Sequence, residues 1–363
     1  MKRVLVIGAT GVFGERLARH LAAHHPFALT LTSRSHGRVG PLAHELGAQA
    51  AALDTRRGLD AVLRTVRPWA VVDCSGPFQS ASHAVARAAI GAGAHTLDLA
   101  DAREYLLGYH DALDGPAHER GVAALGGASS TPGLSGAVAR SLTAGWDAVN
   151  DLDIAIVPGG RGAVGRSVLR AVLSYAGRPV PQWRDGRPAE ATGWRGGRTI
   201  RVPGLGPRRI ADVETVDAER LGPLLAVRGS VRFGAGLESF AEQRGLEALA
   251  WLRAHGLPLP RALVPLLHRA RDLTRLTTGD RGGMVVRARG MREGRRVEAR
   301  WTLVAERGDG LQVPTLPAAA ALRALAEGRI APGARLADEV LTPADIEREA
   351  RPYAISFDFG PTA

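Results

Sequence analysis

Lysine is almost absent from this chain of 363 residues, and its absence excludes two common kinds of catalysis. Lys2 is the only lysine, while arginine supplies the rest of the 47 basic residues. Schiff-base enzymes use a lysine amine as the nucleophile, and short-chain dehydrogenases need a lysine four residues after a tyrosine. No tyrosine of the sequence has such a lysine; the four are Tyr105, Tyr109, Tyr175 and Tyr353. Both mechanisms are therefore excluded.

Cysteine is equally scarce, and long apolar runs are missing. The single cysteine, Cys74, excludes an intramolecular disulfide, and the 11 histidines form no Cys/His cluster with metal-ligand spacing. No apolar run approaches the roughly 20 residues that span a bilayer. The first residues, MKRVLVIGATGVFG, lack the apolar core and cleavage site of a signal peptide. We expect a cytoplasmic protein that holds no metal and does not span a membrane.

Aromatic residues are few, which argues against nucleic-acid binding despite a net charge of +11. They make up 5% of the chain and leave little surface for stacking on bases. The arginines are scattered, and pairs such as Arg56-Arg57 and Arg208-Arg209 are isolated. We expect no nucleic-acid partner but a small-molecule substrate, with the positive charge helping to attract anionic ligands.

A glycine motif with chemical meaning begins at residue 8. The stretch GATGVFG has the G-x-x-G-x-x-G spacing and lies between an apolar run and a helical pattern. Gly8 allows a sharp turn, Gly11 lets the backbone approach a pyrophosphate, and Gly14 lets the helix pack close to the strand. The helix N-terminus then faces the phosphates. A purely structural turn is the alternative; we assign the motif to a dinucleotide, together with Thr10, Val12 and Phe13.

Strand-like and helical stretches alternate through the first third of the chain. The strand-like runs lie at 3–8, 28–34, 48–54, 70–76, 95–101 and 122–128. Six such units predict an α/β fold with a doubly wound parallel sheet of the Rossmann type. Ligands of this fold bind at the carboxyl ends of the strands.

The second strand end indicates which dinucleotide binds. NAD sites usually place an acidic residue there, whereas this chain has Ser33 and Arg34. A guanidinium and a hydroxyl suit the 2′-phosphate of NADP. A solvated surface arginine is the alternative in so arginine-rich a chain. We favour NADP over NAD, with Asp54 at the adenine edge. Ser75, Gly76, Pro77 and Phe78 are expected to border the ribose and nicotinamide.

Three stretches of the first 135 residues resemble the saccharopine dehydrogenase-like family. They are MKRVLVIGATGVFG, VVDCSGPFQSASHAVARAAIGAGAHTLDLAD and SSTPGLS. The resemblance implies a Rossmann domain that binds NADP(H), with Ser130 and Pro132 near the cofactor. It also implies hydride transfer to or from an imine made from an amine or amino acid and a carbonyl compound. The chain departs from the family where LADAREY follows Asp98, so Asp101 or Glu104 takes the acidic role or that role is lost.

A different pattern follows residue 135 and predicts a second domain. Strand-like runs at 151–159 and 227–233, helical stretches at 239–256 and 260–276, and a hairpin joined by MREG predict an α+β domain on a mixed sheet. We place the Rossmann domain at 1–135 and the substrate and dimerisation domain at 136–313. The chain end, about 314–363, is expected to return to the first domain. Trp251 and Trp301 are expected in the core.

One stretch of the second domain, PGGRGAVGRS at 158–167, resembles a phosphate loop with arginine in place of lysine. Arginine does not reproduce the compact ammonium of that lysine, and the mixed strands offer no clear metal-binding aspartate. A structural glycine turn is a second interpretation. The third, which we favour, is a substrate-anion site in which Arg166 and Ser167 hold a carboxylate, with Gly133 also near the substrate.

These features lead to a functional hypothesis. We predict an NADP-dependent oxidoreductase, a homodimer, that transfers hydride to or from a C=N carbon of a carboxylate-bearing substrate derived from an amino acid. Asp98, Asp101 and Gln79 are the candidate catalytic residues, with Asp101 or His83 as proton carrier. Two alternatives stay open: reduction of C=C or C=O in an apolar substrate, and a non-catalytic NADP sensor.

Overall fold

The computed structural model describes residues 1–79, 81–161, 166–257 and 278–360, without the side chains of 166–168 and 170. The chain forms two compact units. The first comprises residues 1–137 and 311–349, and the second comprises residues 138–310 and 350–363.

The first unit is built on a parallel sheet of seven strands. They are β1 Lys2–Ile7, β2 Phe27–Ser33, β3 Gln49–Ala52, β4 Ala70–Asp73, β5 His95–Asp98, β6 Ala123–Gly126 and β15 Gly333–Leu336. Their order is β15-β6-β5-β4-β1-β2-β3, and every pairing is parallel. The predicted doubly wound Rossmann sheet is confirmed, and β15 extends it beyond the six expected strands.

Helices connect these strands and cover the sheet. They are α1 Val12–His24, α2 His36–Glu45, α3 Leu59–Val66, α4 Ala84–Gly91, α5 Arg103–Leu107, α6 Tyr109–Glu119, α11 Leu316–Ala326 and α12 Pro343–Ala350. A further helix, α7 Ser135–Leu142, begins in the first unit and ends in the second. Because helices lie on both faces, strand residues such as Leu5 and Val71 are wholly buried and pack with Leu63. Each such side chain contributes about 1.5–3 kcal/mol of apolar burial. This rigid sheet fixes the loops at its edge.

The second unit is built on a mixed sheet, as predicted. Its strands are β7 Ala148–Val157, β8 Pro179–Arg184, β9 Arg187–Thr192, β10 Arg198–Val202, β11 Gly206–Asp212, β12 Val231–Ala235, β13 Gly282–Arg292, β14 Arg295–Ala305 and β16 Ile355–Gly360. The path β10-β11-β12-β7-β13-β14-β16 contains one parallel pair, β12 with β7, and β8 joins it through β12. Its described helices are α8 Arg166–Tyr175, α9 Val216–Leu224 and α10 Phe240–Ala254.

Local sequence explains the longest pairing of this sheet. β13 and β14 form the predicted hairpin, and the two residues between them, Glu293 and Gly294, both have positive φ. Positive φ at both central positions gives the turn a twist that matches its strands. Trp301 on β14 is fully buried, as expected. Trp251 is 44% exposed, so its assignment to the core is wrong.

The last strand differs from its expected position. We expected the whole of about 314–363 in the first domain, but β16 pairs antiparallel with β14 in the second unit. The helical run on which that expectation rested is in the first unit as α11. The helix predicted at 260–276 lies outside the described residues. None of the described helices is long and apolar enough to cross a bilayer.

Candidate functional site

The glycine turn after β1 is sterically fixed. Gly8 has a φ of +76°, and a Cβ there would lie 3.0 Å from the backbone of Cys74. A Cβ on Gly14 would lie 2.2 Å from the Gly8 carbonyl oxygen, so α1 packs directly on the turn. At Gly11 only that oxygen, 3.2 Å away, lies within 4 Å of a Cβ among the described residues. Gly11 thus leaves open space in front of the helix.

The N-terminus of α1 offers unpaired backbone donors. Gly11 precedes the helix with extended φ and ψ, and no side chain caps it. The N–H groups of Val12, Phe13 and Gly14 have no carbonyl one turn back within the helix. Thr10, Val12 and Phe13 are half-buried beside them. Donors and the helix dipole together suit a pyrophosphate, which is the chemistry predicted for this turn.

The end of β2 carries the two residues expected to select the cofactor. The Ser33 hydroxyl is buried and donates to the carbonyl of Ser35, 2.8 Å away, so it shapes the loop. Arg34 is exposed, and no hydrogen bond or ion pair engages it within the described part of the chain. A free guanidinium beside the N-terminus of α2 is suited to a phosphate.

Asp54 lies next to this loop. The Leu53 N–H donates to the Ser33 carbonyl at 2.8 Å, so the chain after β3 runs beside the end of β2. Asp54 is exposed, and its carboxylate accepts from the Arg56 N–H at 3.1 Å. The side chain closes its own turn and stays accessible at the predicted adenine edge.

The turn after β4 forms the next part of this edge. Asp73 is buried, and its carboxylate accepts from the Ser75 N–H at 2.8 Å and from the Ser75 hydroxyl at 2.5 Å. Burial raises the pKa of Asp73. Gly76 and Pro77, joined by a cis peptide, carry the chain to Phe78, whose ring is buried. Asp73 therefore fixes a turn whose residues 75–77 reach solvent.

Asp98 ends β5 and is buried, with both carboxylate oxygens engaged. Oδ1 accepts from the N–H of Gly127 at 2.8 Å and of Ala100 at 3.1 Å, and Oδ2 accepts from the Tyr105 hydroxyl at 3.1 Å. Burial raises its pKa to about 7, although the two N–H donors oppose the shift. Asp98 links the ends of β5 and β6 to α5, which makes it a positioning residue.

Asp73 and Asp98 are register partners on adjacent strands, so the site contains a buried pair of acids. This pair of acids shifts the pKa values of two neighbouring groups. Desolvation, then the negative charge of Asp73 and Asp98, raises the pKa of the Cys74 thiol. Burial and the same carboxylates raise the pKa of Tyr105. Both groups therefore keep their protons, and Tyr105 remains a hydrogen-bond donor.

Gln79 and Asp101 form the accessible polar pair at this edge. The Gln79 amide donates to the Asp101 carboxylate at 3.2 Å, and both side chains are exposed. Desolvation by the surrounding protein raises the pKa of Asp101, and Gln79 partly offsets it. His83 contacts Tyr105 instead: its Nε2 donates to the Tyr105 carbonyl at 2.8 Å, and the two rings pack at a tilt with centroids 4.4 Å apart. His83 is therefore not part of the exposed pair.

The residues of the turn after β6 pack closely against one another. A Cβ on Gly127, whose φ is +66°, would lie 2.5 Å from the Pro132 ring, and one on Gly133 would lie 2.8 Å from the Gly127 carbonyl oxygen. Pro132 and Gly133 are both buried, whereas Ser130 is half-buried. Pro132 and Gly133 therefore shape the turn, and Ser130 is the residue of the three that solvent reaches.

The loop at 158–167 has a partner that the sequence did not indicate. The Gly160 N–H donates to Glu238 at 2.7 Å, and the Gly279 N–H donates to the other oxygen of the same carboxylate at 3.0 Å. The first N–H of the supposed phosphate loop is thus held by a protein carboxylate. Residues 162–165 and the side chains of Arg166 and Ser167 lie outside the described residues, so the substrate-anion hypothesis for them stays a prediction.

Comparison with known proteins identifies the first unit. The model of the saccharopine dehydrogenase NADP-binding domain family matches residues 4–125. Residues 4–125 are a saccharopine dehydrogenase NADP-binding domain. The match supports an NADP-binding oxidoreductase, as the resemblance implied. No curated protein sequence matches the chain.

Solved structures resemble the fold of both units. Apo saccharopine dehydrogenase (L-Glu forming) from Saccharomyces cerevisiae is 13% identical, with 99% of this chain and all of that chain covered at a TM-score of 0.66. DAP dehydrogenase from C. glutamicum, in complex with DAP, is 17% identical, with 95% of each chain covered at a TM-score of 0.51. At these identities the likeness concerns the fold.

Three residues of the site were not predicted from the sequence. Asp73 and Tyr105 support the strand-end turns, and Glu238 holds the loop at Gly160. Asp73 lies within the predicted strand-like run 70–76, three residues before Gly76 of the Gly-Pro-Phe turn, which was a usable signal. Tyr105 and Glu238 contact their partners through the fold alone, and no local pattern pointed to either.

Proposed function

We propose that this protein transfers hydride between NADP(H) and the C=N carbon of an imine derived from an amino acid. The observation that carries the proposal is the distribution of acids at the strand ends. Asp73 and Asp98 are buried and engaged, whereas Asp101 is exposed and, among the described residues, accepts a side-chain hydrogen bond from the Gln79 amide. One accessible carboxylate beside a nicotinamide suits a substrate whose nitrogen is positively charged.

Three features of the first unit support the proposed cofactor. The open space in front of Gly11 and the free N–H groups of α1 suit the pyrophosphate, and the unpaired Arg34 suits the 2′-phosphate. When bound, NADPH supplies the hydride. Ser75 and Pro77 reach solvent at the end of β4, where they are proposed to border the ribose and nicotinamide.

Asp101 is proposed to hold the substrate nitrogen. An ionised carboxylate attracts an iminium and can take the proton of an amine when the reaction runs toward oxidation. Desolvation raises the pKa of Asp101, which makes the carboxylate a better proton acceptor. The Gln79 amide orients the carboxylate by donating to one oxygen. An iminium already carries the charge that attracts hydride, so no strong acid is required at the carbon being reduced.

Asp98 is proposed to position this machinery and not to touch the substrate. Its engaged oxygens hold the turn at Gly127 and the hydroxyl of Tyr105. The Tyr105 ring in turn packs against Phe78, with ring centroids 5.4 Å apart. That Arg166 and Ser167 hold a substrate carboxylate stays a prediction from the sequence.

The test is a set of turnover and binding measurements on three proteins. Wild type is offered amines with keto acids, enones and ketones, and NADPH oxidation is followed. Asp101→Asn is expected to lower kcat for the imine substrate at least tenfold while NADPH affinity is kept, since one proton-transfer group contributes about 100-fold or more. Asp60→Asn, an exposed aspartate on α3, is the matched control and is expected to behave as wild type.

Other outcomes of this test would replace the proposal. Turnover confined to enones or ketones would favour reduction of an apolar substrate. Tight NADPH binding without turnover of any compound would favour a sensor. Equal activity of Asp101→Asn and wild type would remove Asp101 from the mechanism. Homodimer formation and a cytoplasmic location remain predictions, and light scattering of the purified chain measures the first.

A further inference from the structure

A cluster of imidazoles and one carboxylate lies in the first unit, away from the strand ends. His20 belongs to α1, His25 follows that helix, and Glu349 is on α12. One carboxylate oxygen of Glu349 lies 2.7 Å from Nε2 of His20 and 2.9 Å from Nε2 of His25. The side chains of the three are 1%, 6% and 4% exposed. They form a buried group whose heteroatoms all face one point.

These heteroatoms are the donor set of a metal site. The two Nε2 atoms and the carboxylate oxygen all lie within 4.8 Å of one another. Two histidines and one glutamate bind zinc in known enzymes, with bonds of about 2.0–2.2 Å and a fourth position for water. We propose that His20, His25 and Glu349 bind one divalent metal ion of the zinc class. The contacts seen here become ligand bonds if each imidazole carries its proton on Nδ1 and turns the Nε2 lone pair toward the metal.

Neighbouring groups prepare these ligands. Arg323 on α11 contacts the other oxygen of Glu349 at 2.5 Å, which orients the carboxylate and leaves its second oxygen to the imidazoles. Phe27 stacks on the His25 ring at 5.5 Å with a 4° angle between planes, which fixes the ring. Such outer contacts orient metal ligands in many sites. The positive charge of Arg323 opposes a cation, so we expect a site of moderate affinity.

The position of the site indicates a structural role. His20 and His25 lie at the C-terminal end of α1, whereas the phosphate turn is at its N-terminal end. Thirteen residues of helix separate the two ends, which is about 20 Å at 1.5 Å per residue. A metal there would join α1 to α12, the last helix of the first unit, and would not touch the nicotinamide. The inference is thus independent of the proposed hydride transfer.

The sequence could not indicate this site. His20 and His25 alone do not make a ligand set, and Glu349 lies 324 residues from His25 along the chain. The sequence analysis accordingly expected no metal.

The experiment uses the full chain without an affinity tag, treated with a chelator and then dialysed. Zn²⁺ is titrated in by calorimetry, and Co²⁺ is added separately to record its visible absorption. Wild type is expected to bind one Zn²⁺ per chain, to gain a higher Tm with Zn²⁺, and to give the absorption bands of nitrogen- and oxygen-bound Co²⁺.

Two ligand variants and one control complete the design. His25→Ala and the near-isosteric Glu349→Gln are expected to lose at least about tenfold in Zn²⁺ affinity, the range seen even for outer contacts. His44→Ala, an exposed histidine on α2, is expected to match wild type. NADPH binding checks that each variant is folded. If His25→Ala does not fold, Glu349→Gln still tests the proposal. The proposal is overturned if wild type binds no Zn²⁺ at micromolar concentrations, or if both ligand variants bind it as wild type does.

Discussion

Replacing Gly14 by alanine tests the central claim about the phosphate turn. The added Cβ would lie 2.2 Å from the Gly8 carbonyl oxygen, 2.9 Å from the Gly8 carbonyl carbon and 3.0 Å from Cα of Ala9. All three atoms are backbone, so no side chain can turn aside. The turn is also fixed by a hydrogen bond from the Ala9 N–H to the Thr32 carbonyl at 2.9 Å. Relief of the contact therefore requires α1 to move away from β1.

The cost of that movement follows from the geometry. An ordinary contact would need about 1 Å more separation, and overpacking of this kind costs about 1–3 kcal/mol or more. We expect Gly14→Ala to lower the free energy of unfolding by about 3 kcal/mol and to weaken NADPH binding, because the helix N-terminus is displaced. Urea unfolding followed by circular dichroism measures the first effect, and NADPH fluorescence measures the second.

Two further glycine variants make this measurement decisive. Gly91→Ala, at the end of α4 with nothing within 4 Å of the new Cβ, is expected to be neutral or slightly stabilising. Gly11→Ala meets only one atom at 3.2 Å, so it should cost about 1 kcal/mol or less while reducing NADPH affinity at least tenfold. If Gly14→Ala were as stable as Gly91→Ala, the close contact of helix and turn would be refuted.

Three other predictions concern single contacts. Arg34→Ala should weaken NADPH binding at least tenfold and NADH binding only slightly, whereas the control Arg64→Ala should change neither. Equal losses of NADPH and NADH affinity in Arg34→Ala would disprove a contact with the 2′-phosphate. Because folding raises the pKa of Asp98 to about 7, its contribution to stability is complete at low pH and lost as the pH rises through 7. Between pH 5 and pH 8 the free energy of unfolding of wild type, measured in urea, should therefore fall by about 2–3 kcal/mol more than that of Asp98→Asn. Parallel pH curves for the two proteins would contradict this. Glu238→Ala should lower the free energy of unfolding by about 1–3 kcal/mol, because it removes the acceptor of two N–H groups, and Glu238→Gln should lower it by less. If Glu238→Ala leaves the free energy of unfolding unchanged, water replaces the carboxylate.

The fold of the first unit was predicted well because its strands and turns follow from short, contiguous stretches of sequence. Each strand of the parallel sheet is a short apolar run followed by a turn, and the spacing of Gly8, Gly11 and Gly14 has few structural meanings after such a run. The second unit was less predictable, since its sheet joins strands that are distant in sequence. β16 pairs with β14, and no local feature of residues 355–360 indicates that partner.

The same limit applies inside the site. Sequence reasoning identified Asp98, Asp101 and Gln79 as polar residues after strands, but could not rank them. Rank depends on burial and partners, which are properties of the fold. Trp251 illustrates the point in reverse, because its residue type suggested the core while its face of α10 is exposed.

The difference between Asp98 and Asp101 bears directly on the chemistry. Asp98 accepts three hydrogen bonds and is inaccessible, so a substrate that reached it would have to displace Tyr105 and open the turn at Gly127. Asp101 faces solvent, and the side chain that contacts it among the described residues is Gln79, through its amide. A buried acid whose pKa is raised to about 7 satisfies the usual criterion for a catalytic group, yet its geometry makes it a support. In this site, access distinguishes the acid that we propose meets the substrate, Asp101, from the acid that holds the loops, Asp98. The perturbed pKa alone does not make this distinction.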